Sequence, residues 1–199
     1  MASRMGWVWL LVAVSIVSLP AVSRAGTVQL PQTGLALCVD SQGAEIVCTG
    51  TGQDGEIKAG LAWPDPRFLD NGDGTITDQL TGLMWSKDAG TPTDGSCTGG
   101  AMSWQAALNY IACINGNNYL GHNDWRLPNV NEMESLAHIG VAKSSAWLNG
   151  QGFINAGATY WSSTTFTAST GYAWSLDFDG NRVSYSYKTN NIFAWPVRQ

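Results

Sequence analysis

The chain has 199 residues, with 15 acidic against 10 basic side chains, ten tryptophans and four cysteines. This balance disfavours nucleic acid and other polyanions as partners, because a negative surface repels phosphates and sulfates. Low charge content with many aromatics and glycines excludes a disordered chain and reads as a turn-rich, well-packed protein.

The first boundary is one of processing. Arg4 supplies a positive start, Gly6 to Leu19 is an uncharged, largely apolar run of 14 residues, and Ser23-Arg24-Ala25 puts small residues where a signal peptidase reads them. The run falls short of the roughly 20 residues a spanning helix needs, so residues 1–25 are expected to be a secretory signal. Losing Arg4 and Arg24 with it would move the net charge from −5 to −7 and leave 174 residues, enough for one domain with a core. No later segment reads as a membrane span. The mature chain is therefore expected to be secreted, periplasmic or at the cell surface. An even cysteine count suits that oxidising setting. Three connectivities are possible; the short local loops favour Cys38 with Cys48 and Cys97 with Cys113. Structural zinc is disfavoured because Cys-x-x-Cys pairs are missing.

Residues 26–60 are rich in Gly, Gln, Thr and Ser and read as an irregular arm stapled by the first cysteine pair. Leu30-Pro31-Gln32-Thr33-Gly34 matches a sortase pattern by letters, but its place after the signal makes that a coincidence. Residues 61–199 hold nearly all the aromatics and form the main domain. It opens with a hairpin reversing through Asn71-Gly72-Asp73-Gly74, where residues tolerant of positive φ cluster. Asp70, Asp73 and Asp78 around this turn are the candidate ligands for calcium, the one ion the sequence suggests. The EF-hand pattern fails, because Gly72 stands where an oxygen ligand is wanted and no Glu closes the loop. A structural hairpin is the simpler account of the same residues.

Ser103 is placed to cap a helix whose Trp104, Ala107, Leu108 and Ile111 share one face, ending near Asn115-Gly116. A second helix is expected after Pro128, with Asn129 and Glu132 spaced as a capping box, a stripe of Val130, Met133, Leu136 and Ala137, and a stop at Gly140. The period then changes to strands over 159–164, 172–178, 182–187 and 192–198, with a turn at Asp179-Gly180-Asn181. Segregated helices and antiparallel strands make the fold class α+β.

Met102-Ser103-Trp104-Gln105-Ala106-Ala107-Leu108, Asp124-Trp125-Arg126-Leu127-Pro128, Tyr160-Trp161-Ser162-Ser163-Thr164 and Lys188-Thr189-Asn190-Asn191 together resemble the C-terminal domain family of the Legionella collagen-like adhesin (Lcl). The hairpin turn and Thr81-Gly82-Leu83-Met84-Trp85 fit the same family, and the resemblance covers about 61–199. The family is similar to C-type lectin-like folds, including formylglycine-generating enzymes. The resemblance implies two helices on a twisted antiparallel sheet with long loops, the chain ends close together, and an exported binding or adhesion module. The family's best-described relative binds host glycosaminoglycans. This chain has no collagen-like stalk and is acidic, so neither trimerisation nor polyanion binding is carried over.

The enzyme alternative lacks its chemistry. Formylglycine-generating enzymes use a late cysteine pair, and no cysteine follows Cys113. No nucleophile elbow, phosphate loop or His-Glu-x-x-His is present. His122 and His138 read as surface or capping residues, and Asp177 and Asp179 as turn residues rather than a glycosidase pair. A non-catalytic module without a cofactor is expected, its partner an extracellular glycan or protein. A purely structural cell-surface module is the other alternative. The Gly140–Ala158 and Phe166–Gly171 stretches read as ligand-carrying loops. Trp147, Tyr172 and Tyr185 are the candidate stacking residues, while Trp125, Trp161 and Trp174 are assigned to the core.

Overall fold

A computed structural model describes residues 30–157 and 159–199. The expected signal segment lies outside them. Among the described residues the fold is α+β, with three antiparallel sheets and four helices.

The arm holds β1 (Cys38–Val39), β2 (Glu45–Ile46) and a one-turn helix, α1 (Asp54–Ile57). β1 and β2 pair as a small hairpin closed by the Cys38–Cys48 disulfide. The arm is seated on the main domain. Trp63 Nε1 donates to Gln32 O, Ile139 N donates to Thr33 O, and Gly34 abuts the His138 ring so closely that a Cβ there would clash.

The main domain begins with β3 (Phe68–Asp70), β4 (Thr75–Asp78) and β5 (Met84–Ser86). The Asn71–Gly74 reversal is the expected hairpin: Asp70 accepts from Gly72 N, Asp73 accepts from Thr75 N, and the two glycines sit at positive φ. α2 (Trp104–Gly116) starts where the sequence predicts, the Ser103 hydroxyl accepting from Ala106 N. The Cys97–Cys113 disulfide ties it to the preceding loop. α3 (Val130–Ser135) carries the expected capping box, Asn129 accepting from Glu132 N and Glu132 from Asn129 N. It ends before Gly140. The chain turns off at Leu136, whose N–H bonds Met133 O in a tightened last turn, and His138 N is drawn to the Ser144 hydroxyl.

The stretch expected to be a long loop after Gly140 instead contains α4 (Ser144–Gly150), which buries Leu148 in the core. β6 (Thr159–Thr165), β7 (Tyr172–Asp177) and β8 (Arg182–Tyr187) follow as a meander in the order β6-β7-β8. The strand expected over 192–198 is broken up. Ile192 bridges Met102, Phe193 bridges Tyr160, and only β9 (Val197–Arg198) pairs fully, with β5. This segment crosses from one sheet to the other, which no single straight strand could do. β9 completes the order β3-β4-β5-β9, so the two ends of the main domain meet in one sheet.

Consecutive strand residues point to opposite faces, and Tyr160 and Trp161 show what that does here. Tyr160 joins Trp85, Trp195, Met133 and Leu176 in one core cluster. Trp161 joins Ile111, Ile114, Trp125 and Ala173 in another. The β6-β7-β8 sheet therefore stands between two cores, with α3 serving one face and α2 the other.

Candidate functional site

The β7–β8 register decides which side chains share a face. Tyr172 opposes Tyr187, Trp174 opposes Tyr185, and Leu176 opposes Val183. Leu176 and then Phe178 run into the core that holds Tyr160. Beyond the core's reach the same face continues as aromatic rings open to solvent: Tyr185 is 49% and Tyr187 57% exposed, with Tyr172 and Trp174 half-buried beside them. Phe166 completes the group. Its ring stacks parallel on Tyr185 at 4.5 Å between centroids and meets Trp174 edge-on at 5.2 Å. Tyr172 lies 4.0 Å from Tyr187 and 5.5 Å from Tyr185. The neighbouring Tyr187 hydroxyl pushes the Tyr172 phenol up to about 12.

The opposite face explains why these rings point outward. There Trp161 and Trp104 fill the space above the sheet, Trp161 Nε1 donating to Met102 O and Trp104 Nε1 to Ser162 O. Between such indoles only small side chains fit, and β7 supplies the buried Ala173 and Ser175. Large residues at 172 and 174 must take the other side. Trp174 was expected in the core and is not there. Leu176 and Phe178 on its face do enter the core, but the core ends before Trp174.

Of the three candidate stacking residues, Tyr172 and Tyr185 are brought together. Trp147 is elsewhere. It sits on α4 at the edge of the core, packed against Trp63 at 5.4 Å, Phe68 at 5.6 Å and His138 at 4.9 Å. It backs Trp63 and His138, the two rings on which the arm rests, because a helix replaces the expected loop. Phe166, Trp174 and Tyr187 were missed. Two signals pointed to Trp174 and Tyr187, the i, i+2 spacing in Tyr172/Trp174 and in Tyr185/Tyr187, and the small residues between; none pointed to Phe166.

The three candidate calcium ligands do not converge. Asp78 is fully buried and receives Arg67 Nε at 3.0 Å and Nη2 at 2.9 Å, with Leu80 N and the Thr81 hydroxyl also donating to it. Asp70 accepts from Lys87 Nζ at 2.6 Å, and this lysine and Gly72 N hold its carboxyl below the ordinary carboxylate value. Asp73 is held low chiefly by the Thr75 hydroxyl, which donates to it at 2.6 Å. Register puts Asp70 and Asp78 at opposite ends of the hairpin. Among the described residues, no three His, Cys, Asp or Glu side chains are gathered as a metal ion would need.

Several other titratable groups hold the scaffold together. Arg126 donates twice to Glu132 at 2.7 Å, fixing the corner into α3. Burial raises the Glu132 carboxyl, but Arg126 and Asn129 N outweigh it and hold the group below its ordinary value. Asp179 accepts from Ser145 and Lys143, and Asp177 accepts from Asp179 N and Gly180 N. His138 stands edge-on between Trp63 and Trp147, at 4.9 Å from each, and its Nδ1 accepts from Gly140 N. Burial first and the Arg67 charge second lower its pKa. A cleft of roughly 520 Å³ between the arm and α3 is lined by Pro31, Thr33, Glu134, Ser135 and Ile139 among others, with one carboxylate and no partner base.

No helix among the described residues is long and apolar enough to cross a membrane. A search of curated proteins finds no match to the chain. The Lcl C-terminal domain model matches residues 74–198, from the tip of the first hairpin to β9 and thus across both core clusters and the aromatic face. Because the match spans more than half of its length, the chain belongs to the Lcl C-terminal domain family.

Proposed function

We propose that the protein is an exported, non-catalytic binding module of adhesion type, lectin-like in fold, whose ligand face is formed by Phe166, Tyr172, Trp174, Tyr185 and Tyr187. The observation that carries this reading is exposure where burial would be favourable: Tyr185 and Tyr187 are 49% and 57% open, while Leu176 on the same face is 1% open. Clustered exposed tyrosine and tryptophan rings are the anchors at which binding energy concentrates. Tyrosine supplies a large, rigid, amphipathic contact at low entropy cost. The uncharged 166–171 loop leads into the face, its Phe166 N–H bonded to Tyr172 O, and the 189–191 turn follows β8.

The two disulfides suit an extracellular or periplasmic setting. A non-catalytic role is supported by the state of the reactive groups. All four cysteines are bonded in pairs, His138 is clasped by indoles, the Asp177 carboxylate accepts from turn N–H groups, and that of Asp179 accepts from Ser145 and Lys143.

The test compares the mature protein with a Tyr185→Ala/Tyr187→Ala variant for attachment to matrix-coated and cell surfaces. Both residues are exposed, so the variant should melt with the parent while attachment falls about tenfold or more, as for loss of a binding hot spot. Equal attachment by the two proteins would remove this face from the function.

A further inference from the structure

We infer that this face takes an uncharged glycan chain rather than a sulfated or otherwise anionic one, an inference that rests on the binding-face reading above. The β7 and β8 residues that share the face are Tyr172, Trp174, Leu176, Val183, Tyr185 and Tyr187, and none is charged. Recognition of sulfate or carboxylate calls for guanidinium or ammonium groups aimed at the ligand. The nearby cations are turned away. Lys188 Nζ donates to Thr165 Oγ1 and lies 4.0 Å from the Trp104 ring centroid, on the side of the sheet that packs on α2. Arg182 stands at the far end of β8, on the opposite face from the rings, with Asp177 at 3.6 Å. A polyanion approaching an acidic protein would find no cation here to offset the repulsion.

The polar groups that β7 and β8 place on this face are phenol hydroxyls and an indole N–H, all neutral. Tyr172, pushed up to about 12, keeps its phenolic proton at physiological pH. The loop that enters β7 and the turn that leaves β8 are uncharged apart from Lys188, which is turned away. Flat rings that carry neutral hydroxyls match a sugar, which presents apolar C–H faces and uncharged hydroxyls. Size points the same way. Tiers two residues apart on neighbouring strands are separated by about 7 Å along and about 5 Å across. With Phe166 the patch covers on the order of 150 Å², far below the ~800 Å² per side of a stable protein interface but enough for a few sugar rings.

The experiment measures binding of the mature protein to uncharged glucan and galactan oligosaccharides and, in parallel, to heparin. Wild type should bind a neutral oligosaccharide with affinity steady from about 50 to about 200 mM NaCl, where a six-phosphate-scale contact would weaken roughly a thousandfold. Tyr185→Ala/Tyr187→Ala should lose about tenfold or more of that affinity. Tyr185→Phe/Tyr187→Phe, which keeps the rings, should lose less. Salt-sensitive heparin binding that the alanine pair abolishes would overturn the uncharged class while keeping the face. Neutral-glycan binding that the alanine pair leaves intact would overturn the site. Tyrosine-dependent capture of a protein, with no glycan bound, would overturn the glycan class and leave the binding face standing.

Discussion

Asp78 shows how a letter misleads until its partner is known. It lies among turn residues that suggest a cation site, yet the β3–β4 register sets Phe68 opposite it and brings Arg67 into its reach. Arg67 is itself 3% exposed and also donates to Ser135 O, and its guanidinium carbon lies 4.5 Å from the Trp63 ring centroid. Removing one member of such a pair strands a buried charge and typically costs about 3–5 kcal/mol. Asp78→Ala should therefore lower the urea midpoint sharply, and chelator should leave the wild-type midpoint unmoved. A chelator-dependent midpoint would restore calcium to the hairpin. Nothing in the sequence pairs Arg67 with Asp78, because the spacing of 11 residues acquires meaning only through the hairpin register.

At the scale of elements, the local rules read well wherever the chain's own neighbours decide the outcome. The Asn129–Glu132 box, the Ser103 cap, both short-loop disulfides and the Asn71–Gly74 reversal depend on residues a few positions apart. Asn129→Ala removes the acceptor for Glu132 N and should cost about 1 kcal/mol, measured by denaturant unfolding. Loss nearer zero would mean that the Arg126–Glu132 pair holds the corner alone. Elements decided from a distance were illegible. α4 has seven residues and no side-chain cap, and it exists because Leu148 and Trp147 are taken up by the core and by Trp63. The aromatic face was half legible. Alternation gives its members, but exposure depends on where the core on that side ends, which periodicity does not encode.

At the scale of the molecule, the arm and the domain are joined through a ring that prefers to be neutral. His138 sits between Trp63 and Trp147 with Gly34 against it, and Arg67, paired with Asp78, is the charged group facing it. Its pKa is lowered from 6.5 by burial and by Arg67, so the unfolded chain binds the proton more readily than the folded one. The stabilisation is complete above the unfolded value and is lost as pH falls through the lowered folded value. The melting temperature should drop more between about pH 7.5 and about pH 5, the range in which histidine titrates, for wild type than for His138→Gln, both read by calorimetry. Parallel drops would place the acid sensitivity elsewhere.

The pairing of β9 with β5 has a kinetic consequence. Met84 lies opposite Arg198, so this contact closes a loop of more than a hundred residues. Entropy sets a penalty on that closure before any native contact rewards it, and folding rates fall as such distant pairings dominate. The last sheet position is therefore expected to fill late, and with it the contact of Trp85 and Trp195, edge-on at 5.4 Å. On the export reading, this tardiness gives a cell time to thread the polypeptide through a translocation pore before its two ends lock.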